Sequence, residues 1–133
     1  MKPDPALNRP RSWPRKFRDA FLGIWLGVRG QSSFRVHLVA AVAVVVAGIL
    51  LGVSLIEWCL LILCISTVLV AEMFNSALEW MAPAIDKEEN EHLAGALDVG
   101  SAAVLLAAMG ASMVGTLIFV YRLGVMLGWW SGS

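Results

Sequence analysis

The chain has 133 residues, of which 59% are hydrophobic and only 15% charged, with a mean hydropathy of +0.75; ordinary soluble domains carry about 25% charge. That composition argues against a soluble enzyme, and the length leaves room for one compact unit. The formal net charge is zero, but residues 1–35 hold eight Lys and Arg against Asp4 and Asp19, while eight of the ten acids fall between Glu57 and Asp98. A basic amino-terminal segment followed by hydrocarbon-soluble sequence reads as a cytoplasmic membrane surface rather than a nucleic-acid site.

Residues 1–14 contain four prolines and are expected to form an irregular cytoplasmic tail. Pro14 suits a first helical turn. From there "RKFRDAFLGIWLGVR" repeats Phe17, Phe21, Ile24, Trp25 and Val28 with helical spacing, which predicts an amphipathic surface helix over 15–29. "VHLVAAVAVVVAGILLGVSL" is an uncharged run long enough to span a bilayer, placing the first span at about 34–55. Its late start and the lack of a small-residue cleavage site argue against a cleaved leader.

A short turn puts Glu57 and Trp58 at the far interface. The second span is expected at about 56–82, ended by Pro83, with "PAIDKEENEHL" as a polar connection. The third runs over about 94–121, with Arg122, Trp129 and Trp130 marking its outer end and a tail at 123–133. Three crossings from a cytoplasmic start place the amino terminus inside an inner membrane and the carboxyl terminus outside. Small residues at four-residue spacing, from Ala96 and Gly100 to Ala111 and Gly115, favour close helix packing and an oligomer. Cys59 and Cys64 fall on different helix faces and suit neither a disulfide nor a metal pair.

Polar residues inside spans are expensive and functional by default. In "VLVAEMFNSALEWMAP" (69–84), Glu72, Asn75 and Glu79 lie on one side of a helix, the two acids about 10 Å apart along its axis. Asp98 enters the third span near the same boundary, so four polar groups converge at the inner leaflet. Bland alternatives exist: Glu79 snorkelling beside Trp80, Asn75 as interhelical glue, or a small channel. His92 and the "KEENEH" run read as solvated surface.

"AEMFNSALE" (71–79) resembles the signature of the small prokaryotic diacylglycerol kinase family, which includes undecaprenol kinases. "DVGSAAVLLAA" (98–108) resembles its second block, and "FRVHL" (34–38) is similar to the start of its first span. The resemblance covers about 15–122. It implies an all-α integral membrane fold, with a surface helix and three spans per chain. It also implies a homotrimer with composite sites between chains, and magnesium-dependent transfer of the ATP γ-phosphoryl group to a membrane lipid alcohol. Carried over by position, Glu72 resembles the general base and Asn75 part of the polar site. Glu79 resembles a magnesium carboxylate, Asp98 a nucleotide-side acid, and Arg15 a basic residue near the phosphates. Two positions depart from the pattern. Gln31 stands where the family has a second metal carboxylate, leaving a weak, uncharged oxygen ligand. Leu97 stands where a phosphate-pairing lysine is expected. These departures open an alternative: a non-catalytic, kinase-like accessory or scaffold subunit in lipid or envelope metabolism.

Overall fold

The computed structural model describes residues 12–30, 32–86 and 90–129, which form four helices and, among the described residues, no strand. Gln31, Trp130, the connection at 87–89 and the tail before Ser12 lie outside them. Helix α1 covers Trp13–Gly30, α2 Ser32–Leu50, α3 Leu55–Ile85 and α4 Glu91–Met126. The last three are long and apolar enough to cross a membrane.

Helix α1 begins with the Lys16 N–H bonded to the Ser12 carbonyl at 3.1 Å, with Pro14 in the first turn, where a missing N–H is harmless. Its apolar side faces no other helix: Phe17, Phe21 and Trp25 are more than half exposed. Cations sit over the aromatic rings, Lys16 Nζ 4.7 Å from the Trp13 centroid and Arg29 Cζ 5.2 Å from Trp25. Exposed aromatics with cations above them belong at a membrane–water boundary.

The chain reverses between α2 and α3 through residues 51–54, where Gly52 takes φ +61°, a conformation costly for any residue with a Cβ. Ser54 then caps α3: the Glu57 N–H donates to Ser54 Oγ, while the Ser54 N–H donates to Glu57 Oε2 at 2.6 Å. The same carboxylate receives Arg122 of α4 in a forked contact, Nε lying 3.1 Å from Oε1 and 2.8 Å from Oε2. Glu57 and Arg122 therefore do not simply face headgroups; they cap a helix and tie α3 to α4. Beside them Val53, Leu61 and Ile118 form the buried apolar cluster, flanked by Val44, Trp58 and Phe119.

Several helix ends differ from the sequence expectation, beginning with α2, which stops at Leu50 rather than near 55. Pro83 does not end α3, which continues to Ile85 and closes with the Asp86 N–H on the Ala82 carbonyl at 3.1 Å. So near the end, the proline removes one ladder bond and leaves little helix to bend. Helix α4 starts at Glu91 rather than 94 because Asn90 is its N-cap, Oδ1 accepting from the His92 and Leu93 N–H groups. It also runs on to Met126, taking the first residues of the expected tail into the helix.

Helices α3 and α4 form the most extensive pair; α2 leans on α3 and only lightly on α4. Helix α1 lies against α3 where Gly27 meets Met73 and Gly30 meets Trp80. At 1.5 Å per residue Glu72 stands about 22 Å and Glu79 about 33 Å along α3 from Glu57. With a hydrocarbon core about 30 Å thick, a boundary near Glu57 puts Glu72 just inside the opposite boundary and Glu79 at it.

Candidate active site

The three polar residues singled out on α3 are held differently. Glu72 is 2% exposed, the most buried ionisable side chain among the described residues, while Asn75 and Ser76 are also buried. A carboxyl group so placed needs a hydrogen-bond partner, and α2 supplies one. Ser33 Oγ donates to Glu72 Oε1, and His37 Nε2 lies 3.9 Å from Glu72 Oε2. Ser33 and His37 are four residues apart and therefore share one face of α2.

One turn further, Asn75 Nδ2 donates to Glu79 Oε1 at 2.8 Å, as the four-residue spacing allows. Asn75 Oδ1 and Ser76 Oγ are buried without a hydrogen-bond partner. Such unpaired groups cost stability and call for explanation. Asn75 Oδ1 faces the α4 backbone at Gly100, where an added Cβ would lie 2.6 Å from it. Gly100 thus lets α4 approach the polar row, and Asp98 stands within one turn of that contact. Asp98 itself is exposed and Leu97 half-buried.

Arg15 is not brought to this cluster. It is exposed in the first turn of α1, about 18 Å along the helix from the contact at Gly27. Gln31 lies outside the described residues. Among those described, no three acid, histidine or cysteine groups gather closely enough to hold a metal. The α3 residues still fit magnesium of one kind: that ion commonly takes one or two protein carboxylates and completes its shell with phosphate and water oxygens. Glu79, near the end of α3, can supply such a carboxylate. A cavity of about 480 Å³ runs from His37 towards Val44, Leu61 and Phe119, with almost wholly apolar walls. The polar cluster therefore adjoins a space suited to hydrocarbon.

Sequence reasoning singled out Glu72, Asn75 and Glu79 but not Ser33 and His37, which α2 turns towards Glu72. Their signal was available: two polar residues at i and i+4 in the first turns of a membrane helix.

A buried carboxylate inside a span, a second one near the end of that helix and a largely apolar cavity thus lie in one membrane-spanning bundle. The chain matches the prokaryotic diacylglycerol kinase family over residues 18–119 and belongs to that family. Among curated relatives it is 32% identical to the undecaprenol kinase of Bacillus subtilis over 109 residues, covering 82% of this chain and 89% of the relative. It is 36% identical to a diacylglycerol kinase of Synechocystis, covering 74% of this chain and 57% of the relative. With the diacylglycerol kinase of Escherichia coli the identity is 38%, over 62% of this chain and 71% of the relative.

Proposed function

We propose that the protein is a lipid kinase that moves the γ-phosphoryl group of ATP to the hydroxyl of a membrane lipid alcohol, undecaprenol or diacylglycerol, at the cytoplasmic face. The observation that carries this reading is Glu72, buried at the inner end of a spanning helix with one oxygen held by Ser33. Oε2 is the oxygen left to take the acceptor proton as the new O–P bond forms. The bond from phosphorus to the ADP oxygen breaks, and ADP departs with the electron pair. Glu79 would hold magnesium, which neutralises phosphate charge; phosphoryl transfer depends mainly on such neutralisation and on positioning. Asn75 keeps Glu79 oriented, and Asp98 lies where the nucleotide would enter. Arg15, far from Glu72 in its own chain, is best placed to serve a neighbouring copy, which supports composite sites in a homo-oligomer, with a trimer proposed from the family. The amino-terminal cations favour that end inside and the carboxyl terminus outside. A polyprenol is the first acceptor to try, because an undecaprenol kinase is matched over 89% of its own length, against 57% and 71% for the two diacylglycerol kinases.

Leu97 favours a second reading. A half-buried leucine brings no charge to a phosphate, and a chain that had left catalysis for an accessory role would tolerate it. The deciding experiment incubates purified protein with magnesium, labelled ATP and each lipid in mixed micelles, beside Glu72→Gln and Leu97→Lys variants. Transfer by the wild type and silence of Glu72→Gln uphold the kinase. A silent wild type, with transfer gained on Leu97→Lys together with Gln31→Glu, upholds the accessory subunit.

A further inference from the structure

We propose that His37 is the positioning residue of Glu72, its imidazole holding the carboxylate in the orientation that meets the acceptor hydroxyl. The inference rests on the lipid-kinase reading for its catalytic consequence. Its structural basis is independent of that reading.

Glu72 has two oxygens and two partners on one face of α2. Ser33 engages Oε1 and so fixes the carboxylate plane. The remaining oxygen, Oε2, has His37 Nε2 at 3.9 Å. No Lys or Arg among the described residues pairs with Glu72; Arg18 pairs with Asp19 and Arg122 with Glu57. A carboxylate that is 2% exposed inside a span is costly without a compensating donor or charge. Ser33 gives one neutral hydrogen bond, and His37 is the basic group in reach. Its separation is longer than a hydrogen bond, so the imidazole acts by the dipole of its ring on Oε2 and leaves that oxygen without a hydrogen bond from His37.

The position of His37 on the other side agrees. The same ring lines the mouth of the apolar cavity, and its side chain is 21% exposed. A hydroxyl arriving on a hydrocarbon chain from that cavity would meet His37 first, with Oε2 3.9 Å behind its Nε2. His37 thus joins the proton-accepting oxygen to the acceptor's route of approach, and it does so through Glu72 rather than by accepting the proton itself.

The test uses the full chain in phosphatidylcholine nanodiscs with magnesium-ATP and either undecaprenol or dioleoylglycerol. His37→Ala is expected to lower kcat about 10- to 100-fold, the range for losing a charge-assisted partner, with KM for ATP held within about twofold. His37→Gln, which can place an amide nitrogen near the Nε2 position, is expected to recover about a third or more of that loss on a logarithmic scale. An unchanged kcat, a loss carried by KM for ATP, or a loss that glutamine does not relieve overturns the proposal. A second measurement does not depend on turnover. The chain has two histidines, His37 and His92, so nitrogen-15 spectra of histidine-labelled protein resolve them simply. Glu72→Gln is expected to move the His37 ring signals and leave those of His92 in place; unmoved His37 signals overturn the contact. If the wild type transfers to neither lipid while His37 responds to Glu72→Gln, the kinase reading falls and the His37–Glu72 coupling stands.

Discussion

Replacing Gly100 with alanine tests how closely α4 presses on the polar row of α3. The new methyl carbon would lie 2.6 Å from Asn75 Oδ1 and 3.1 Å from Leu78 Cδ1. Ordinary carbon–oxygen contacts begin near 3.3 Å, so about 0.7 Å must be recovered by moving a side chain or the helix. Asn75 is buried and committed to Glu79 through Nδ2, and swinging its amide aside strains or breaks that bond. Overpacking of this kind costs about 1–3 kcal/mol, while alanine in place of glycine in a helix returns about 1 kcal/mol. The expected net is a loss of up to about 2 kcal/mol. Gly110 is the control, since nothing lies within 4 Å of a Cβ there; Gly110→Ala should keep the propensity gain of up to about 1 kcal/mol. Unfolding of the detergent-solubilised protein by graded denaturing detergent, followed by circular dichroism, compares the two. Lipid phosphorylation by Gly100→Ala should fall as well, because Glu79 loses the amide that orients it. Equal stability of the two variants, with unimpaired transfer by Gly100→Ala, would refute the close approach at Asn75.

Arg122→Leu should lower the midpoint of the same unfolding transition, because it strips Glu57 of its forked partner. The double variant with Glu57→Gln should lose less than the two single changes added together, and strict additivity would show that the pair contributes nothing. Arg15→Glu should weaken nucleotide binding by the assembled oligomer, measured by equilibrium dialysis in nanodiscs, while leaving the helical content unchanged; unaltered binding would restrict Arg15 to membrane anchoring.

The three spans were legible because a bilayer demands long apolar runs, and hydropathy reads those directly. The row of Glu72, Asn75 and Glu79 was legible for the complementary reason: polar groups in such runs stand out, and the 3.6-residue period puts them on one side. Helix ends were harder to read. Pro83 looked like a terminator, yet a proline with little helix after it breaks little. Asn90 was lost in a run of charges, although its side chain is what starts α4. The contacts between helices were not legible. Nothing local to Glu57 announces Arg122, 65 residues later, and nothing in "SSFRVHL" announces that Ser33 and His37 turn towards Glu72. Small residues in α4 signalled close packing, but not that Gly100 would meet Asn75. Periodicity assigns a residue to a face of its own helix; the opposing residue is set by the relative rotation and height of two helices.

The apolar cluster of Leu61 and Ile118 and the Glu57–Arg122 tie both lie at one end of the bundle, while two buried polar atoms without partners lie towards the other. Resistance to local opening follows the density of buried apolar contacts and satisfied bonds, so it is graded along the helices. The bundle behaves like tongs riveted at the Glu57–Arg122 end, with the tips at the Glu72 end. A small angular displacement about the rivet scarcely disturbs Leu61 but is amplified over the roughly 22 Å to Glu72. The Glu72 end can therefore shift without loosening the joint that holds the helices together.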